Sequence, residues 1–213
     1  MTVLSCRGIR GSVNLTVLGA AGATGIQLVE RALAAGHQVT GLARSAEPLT
    51  TTKPGLRVVQ GDATDRAAVS EAMKGADAVV SVLGARGPVI AEATRTIVGV
   101  AEEEGPARVV MLSSFAVARD RLTPVSKLVT RMAMGGQIKD KAAGEEVLRA
   151  SNLDWTIVYA TKLTNGPESV PRVVPETGKV GVAQKISRAS VASFLLQAAT
   201  DGLYSRSGVV ITE

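Results

Sequence analysis

Short apolar runs rich in β-branched residues alternate with amphipathic stretches along the whole chain. Runs at residues 15–19, 38–43, 56–60, 78–83, 108–112, 154–159 and 209–212 hold almost no charge in their interiors. Strands with that profile are buried on both faces, as in a parallel sheet. Between the runs, apolar positions recur at helical spacing over residues 26–35, 66–74, 90–104, 139–150 and 188–199. In the first of these Ile26, Val29 and Leu33 share the face that would turn toward the sheet. Strand and helix in alternation predict an α/β fold with a doubly wound parallel sheet, in the strand order 3-2-1-4-5-6. Residues 119–136 and 164–185 show no clean period. Both follow strand carboxyl ends, where ligands bind in such sheets, so each is either a lid or substrate loop or a plain surface loop.

At 213 residues and 46% apolar content, a single domain over residues 14–213 is expected. Residues 1–13 lack the apolar centre of a signal peptide and read as a flexible extension. No apolar run approaches the ~20 residues that cross a bilayer. The single Cys6 permits no internal disulfide and builds no metal site alone, which fits a reducing, cytoplasmic setting. His37, the only histidine, falls between the first helix and the second strand and reads as structural. The net charge of +5 invites a nucleic-acid reading, yet two Phe, two Tyr and one Trp leave little to stack on bases. The basic residues are scattered, and their excess suits a polyanionic small molecule better. The expected partner is a small-molecule substrate, with neither nucleic acid nor membrane, for a monomer or homodimer.

Candidate chemistry begins at residues 17–25, Val-Leu-Gly-Ala-Ala-Gly-Ala-Thr-Gly, between the first strand and the first helix. Gly19 permits the tight turn, Gly22 lets backbone approach a pyrophosphate, and Gly25 lets helix pack closely on sheet. Ala21, Ala23 and Thr24 would flank the same phosphates. A NAD site usually carries an acid at the end of the second strand, bonding the ribose hydroxyls. This chain has Arg44-Ser45 there, a fork and a second donor for a 2′-phosphate, so NADP(H) is favoured. Asp62, with Ala63 beside it, could accept from the adenine amino group. It or Thr64 could equally cap the following helix. After the fourth strand, Leu83-Gly84 would let the backbone pass close to the adenosine.

With these motifs the chain resembles the atypical short-chain dehydrogenase/reductase group that includes NmrA-like proteins and biliverdin-IXβ/flavin reductases. The resemblance runs from Leu15 to the end. It rests on Gly19-Ala-Ala-Gly-Ala-Thr-Gly25, Gly61-Asp62, Asp77-Ala78-Val79-Val80 and Ser113-Ser114. More selective are Leu148-Arg-Ala-Ser-Asn-Leu-Asp-Trp-Thr-Ile-Val158 and Ile186-Ser-Arg-Ala-Ser-Val-Ala192. It implies a Rossmann-like domain that binds NAD(P) and, usually, a reductase.

The wider group commonly sets Tyr and Lys four residues apart, the Tyr supplying a proton. Aligned on that pattern, Lys141 takes the lysine position, and the tyrosine position is Gln137, which is no acid near neutral pH. The biliverdin/flavin reductases work without the pair, holding a flat acceptor over the nicotinamide beside a Ser after the fifth strand. Ser113 or Ser114 answers to that serine. After the sixth strand the group usually has Arg-Pro-Gly or a proline pair. Here Tyr159-Ala160-Thr161-Lys162-Leu163 brings Tyr159 and Lys162 toward the nicotinamide. Met132 and Met134 could wall a planar substrate, with Gly135-Gly136 as a lid hinge. The expected function is an NADPH-dependent reductase of a conjugated or carbonyl small molecule, of the flavin, quinone or tailoring type, with Ser113, Lys141 and Lys162 handling the proton. The alternative is a non-catalytic NADP(H)-binding redox sensor that regulates a partner protein, a role the missing tyrosine also suits.

Overall fold

Alternating strand and helix build the expected sheet. In the computed structural model, residues 11–45, 47–49, 53–84 and 89–213 are described. Cys6 and the first ten residues of the expected extension lie outside them. The strands are β1 (Asn14–Leu18), β2 (Gln38–Ala43), β3 (Leu56–Gln60), β4 (Ala78–Ser81), β5 (Arg108–Ser114) and β6 (Asp154–Ala160), then β7 (Lys162–Thr164), β8 (Arg172–Val173), β9 (Lys185–Ser187) and β10 (Ser207–Thr212). The helices are α1 (Ala23–Ala34), α2 (Arg66–Met73), α3 (Ile90–Glu104), α4 (Pro124–Ala150) and α5 (Arg188–Thr200). One sheet runs β3-β2-β1-β4-β5-β6-β10-β8, so the doubly wound order is present and extended at one edge. All its pairings are parallel except β10 with β8, and β7 pairs β9 separately.

Strand alternation sends successive side chains to opposite layers. Leu15 and Val17 of β1, Val110 of β5 and Val158 of β6 pack with Leu28 and Val29 of α1 and Val191 and Leu195 of α5. Leu18, Met111, Trp155, Ile157 and Tyr159 pack on the other face with Val69 of α2, Ile97 of α3 and Leu148 of α4. Gly61 admits α2: a Cβ there would sit 2.5 Å from the Ala68 methyl. The helix is capped by Asp65, which accepts from Ala67 N at 2.9 Å, rather than by Asp62 or Thr64. Arg108, at the amino end of β5, donates to Thr156 Oγ1 and to the carbonyls of Ala198 and Leu203, each at 2.7 Å. That ties β5 and β6 to the end of α5. His37 accepts from Val13 N at 3.3 Å, between α1 and β2 as expected of a structural histidine.

One expectation is corrected and another is made specific. The aperiodic stretch 119–136 is mostly helix, because α4 begins at Pro124, behind Thr123, whose hydroxyl accepts from Ser126 N. Its first turns hide from a periodicity reading because Val125 and Leu128 face solvent, at 69% and 61% exposure. Gly135-Gly136 therefore lies inside a continuous helix and not at a loop hinge. The side chains of Met132 and Met134 fall outside the described residues. The stretch 164–185 holds β8 and short connections pinned to the body. Glu168 binds Arg31 of α1 at 2.9 Å and accepts from Ser193 of α5, across two neighbouring helices.

Helix α4 is set in register by α3. Val89 opens α3 without a side-chain cap, and Asp140 of α4 supplies one. Its two oxygens accept from Ile90 N at 2.9 Å and Ala91 N at 3.1 Å. One turn on, Gly144 lets the helices close, since a Cβ there would meet Thr94 Oγ1 at 2.9 Å. With residues 140 and 144 facing α3, residues 141 and 145 turn toward the carboxyl ends of β5 and β6.

Candidate active site

The carboxyl ends of β1, β4, β5 and β6 open into a cavity of ≈650 Å³, walled chiefly by apolar side chains. The glycine turn forms one side. Gly19 takes φ +84°, and its N–H and that of Ala20 share the Leu42 carbonyl at 3.1 and 3.3 Å. Gly22 N–H returns to Gly19 O at 3.0 Å, and α1 starts immediately after. A Cβ on Gly25 would lie 2.2 Å from Gly19 O, so only glycine lets the helix sit this close. Among the described residues no side chain caps α1, and its first turn carries no acid. The free N–H groups and the positive end of the helix are therefore left to an anion, which fits a nucleotide pyrophosphate.

Of the sequence-predicted residues, Gly22, Ala23, Thr24, Leu83, Gly84, Ser113, Lys141 and Lys162 line this cavity together. Gly19, Ala21 and Gly25 shape the turn behind it. Arg44 and Ser45 lie exposed at the end of β2, beside the cavity and not in its wall. Asp62 Oδ1 is engaged by Thr64, whose N–H donates at 2.9 Å and whose hydroxyl donates at 2.8 Å. That backbone hydrogen bond is the main reason its carboxyl is held below the usual range, with Arg44 adding to the effect. Ala63 is buried in the core against α2.

Tyr159 is not in the cavity wall. Strand parity decides its direction: it stands opposite Ser113 in the β5–β6 register, and both face α4. Its hydroxyl donates to Glu145 Oε2 at 2.5 Å and accepts from Arg149 Nη2 at 2.7 Å. Burial pushes the phenol well up, and the adjacent Glu145 pushes it further.

Glu145 is the residue that sequence reasoning missed. It is 4% exposed and reaches between the two strands, with Ser113 Oγ 2.5 Å from its Oε1. Burial raises its pKa, against the pull of Ser113, Tyr159, Arg149 and Lys141. Burial also lowers the pKa of Lys141, one turn earlier, against Glu145 and Asp140. The available signal was a carboxylate four residues after Lys141, the first of the pair Glu145-Glu146 and three residues before the apolar Leu148. Arg188 was missed as well. It opens α5, lines the cavity, and is held by Asn165 Oδ1 at 2.7 Å. Gln137, at the tyrosine position of the resembled group, is exposed on α4.

A family model described as NAD(P)H-binding matches residues 19–202 of this chain. The chain belongs to this NAD(P)H-binding family. The match takes in the glycine turn, Arg44, Ser113, Glu145 and Arg188. A relative from Streptomyces griseus, (4-alkanoyl-5-oxo-2,5-dihydrofuran-3-yl)methyl phosphate reductase, is 33% identical over 144 residues. That stretch is 68% of this chain and 46% of the relative, so the match spans less than half of that protein's length. Among solved structures, a short-chain dehydrogenase/reductase from Veillonella parvula in complex with NADP superposes with TM-score 0.82 at 21% identity, covering 94% of each chain. The anaerobilin reductase ChuY from Escherichia coli O157:H7 superposes with TM-score 0.79 at 23% identity, covering 93% of this chain and 96% of its own. At these identities the superpositions establish the Rossmann-like fold of the family. Among the described residues, no group of His, Cys, Asp and Glu could hold a metal ion. No described helix is long and apolar enough to cross a membrane.

Proposed function

We propose that this family member is an NADPH-dependent reductase of a conjugated carbonyl compound that also carries an anionic group. The observation that carries the reading is Ser113 standing in one apolar cavity with the glycine turn. The turn and the start of α1 receive the pyrophosphate, and Arg44 with Ser45 receives the adenosine 2′-phosphate. When bound, the dinucleotide supplies a hydride. Ser113 Oγ donates a hydrogen bond to the acceptor carbonyl, where negative charge develops as the bond order falls. Leu112, Phe115 and Leu163 hold the conjugated body of the acceptor and exclude water.

Cations at the rim support the anionic part of the reading. Lys162 on β7 is exposed and Arg188 is half-buried, and both line the cavity. The substrate in the name of the S. griseus relative joins a conjugated 5-oxo-dihydrofuran to a phosphate. That pairing asks for an apolar slot beside cations, which this cavity offers.

The test is NADPH oxidation, followed by near-ultraviolet absorbance, against flavins, quinones, enones and lactone phosphates, with binding titrations alongside. Turnover that drops at least tenfold in Ser113→Ala, with a raised KM for anionic acceptors in Lys162→Ala, is expected. Tight NADPH binding with no oxidation by any acceptor would replace the reductase reading with that of a redox sensor.

A further inference from the structure

The reductase reading needs a proton as well as a hydride, and the usual tyrosine is Gln137. We propose that Glu145, acting through Ser113, supplies the proton that the reduced acceptor takes up. The inference rests on the reductase reading above, and it follows from counting donors around one carboxyl group.

Arg149 can only donate, so the Tyr159 hydroxyl must accept from it and direct its own proton at Glu145 Oε2. Oε2 is thereby an acceptor. A proton on Glu145 then belongs on Oε1, which faces Ser113 Oγ at 2.5 Å. With Glu145 neutral, Oε1–H donates to Ser113, and the serine proton is free to point into the cavity. With Glu145 ionised, Ser113 donates back to Oε1 and has nothing to offer a substrate. The protonation state of Glu145 therefore decides whether Ser113 is a donor to the acceptor. The titratable and charged groups facing Glu145 are Lys141 and Arg149 on its own helix and Tyr159 on β6. Burial favours the neutral form over their combined pull.

The step balances. Hydride adds to the acceptor carbon, and the displaced electron pair moves to the carbonyl oxygen. That oxygen takes the Ser113 proton while Ser113 takes the proton of Glu145. Water entering as product leaves restores the proton through Ser113. The net change is one hydride from NADPH and one proton from solvent. Glu145 never touches the substrate; it sets and replenishes the donor that does.

The test uses Glu145→Gln, which keeps the shape: the amide oxygen accepts from Tyr159 and the amide N–H donates to Ser113. NADPH affinity and melting temperature are expected to hold, KM to stay within about threefold, and kcat to fall about a hundredfold or more. Wild-type kcat should decline as pH rises and Glu145 ionises, a limb that Glu145→Gln lacks. Tyr159→Phe removes a hydrogen bond to the ionised form, so its limb should move to higher pH. That second variant keeps the idea testable if Glu145→Gln folds poorly. Wild-type kcat and pH profile in Glu145→Gln, or an unmoved limb in Tyr159→Phe, would overturn the relay while leaving the reductase standing. Absence of turnover in the wild type would overturn both.

Discussion

Two glycines three residues apart should fail in different ways when given a methyl group. In Gly25→Ala the new Cβ would lie 2.2 Å from Gly19 O, 2.7 Å from Ala20 O and 2.8 Å from Ala20 C. All three are backbone atoms, so no rotamer change relieves the contact, and strand and helix must separate by about 1 Å to restore van der Waals spacing. Overpacking of this kind costs about 1–3 kcal/mol or more, against about 1 kcal/mol regained from helix propensity. With fixed backbone on all sides the overlap falls at the upper end of that range, and a net loss of about 2 kcal/mol lowers Tm by roughly 4–8 °C in a chain of this size. In Gly22→Ala the backbone at φ −74° and ψ 160° suits any residue, and the one close contact is 3.2 Å to Gly19 O. Its stability cost should stay under about 1 kcal/mol. Gly22 nevertheless lines the cavity, so its methyl occupies the approach of the pyrophosphate. NADPH affinity should fall at least tenfold, about 1.4 kcal/mol. Thermal melts and fluorescence titration with NADPH read the two effects separately. Unchanged NADPH affinity in Gly22→Ala would show that the pyrophosphate does not lie on this turn. An unchanged Tm in Gly25→Ala would refute the close packing of turn and helix.

Arg44→Ala should weaken NADPH by about 1.5–3 kcal/mol, the worth of a charged hydrogen bond, and NADH far less; equal losses in paired titrations would remove the 2′-phosphate assignment. Asp140→Ala leaves Ile90 N and Ala91 N without their acceptors, so α3 should lose about 1–2 kcal/mol and Asp140→Asn less. Chemical unfolding would measure it, and an unchanged midpoint would show that α4 does not cap α3. Glu145 also predicts a pH dependence of stability. Its folded pKa is raised above the ordinary 4.5, so the native state binds the proton more tightly than the unfolded chain. The favourable contribution is complete below the unfolded pKa and fades as pH rises through the folded one. The stability difference between wild type and Glu145→Gln should therefore move against the wild type from acid to neutral pH. A difference that stays flat in urea titrations across that range would be inconsistent with a buried, raised carboxyl.

The sheet and the glycine turn were legible because their causes are local. Uncharged β-branched runs mark strands wherever they occur, and Gly19 and Gly25 answer to a backbone angle and a close contact within seven residues. The first half of α4 was not legible, because Val125 and Leu128 turn apolar groups to solvent and blur the period. Tyr159 was placed by its nearness to the end of β6. Its direction follows from parity: Ser113 is its register partner, and both belong to the layer of Trp155 and Ile157. Glu145 could not be assigned from spacing alone. A glutamate on a helix is ordinarily a solvated charge, and only the docking of α4 on β5 and β6 turns this one into a buried acid.

Helix α4 is where structural and chemical demands meet. Asp140 and Gly144 lock it to α3, and that lock sets the rotation that carries Lys141 into the cavity and Glu145 between Ser113 and Tyr159. One turn further on, Arg149 fixes the Tyr159 hydroxyl while its guanidinium lies 5.0 Å over the Trp155 ring. A rotation of about 100° per residue separates these faces, so a one-residue slip would unseat the cap and the carboxyl together. Substitutions at Asp140 or Gly144 should thus disturb turnover without touching substrate. The carboxyl that engages Ser113 comes from α4, two turns after Gln137, so this arrangement orients Ser113 without a tyrosine at position 137.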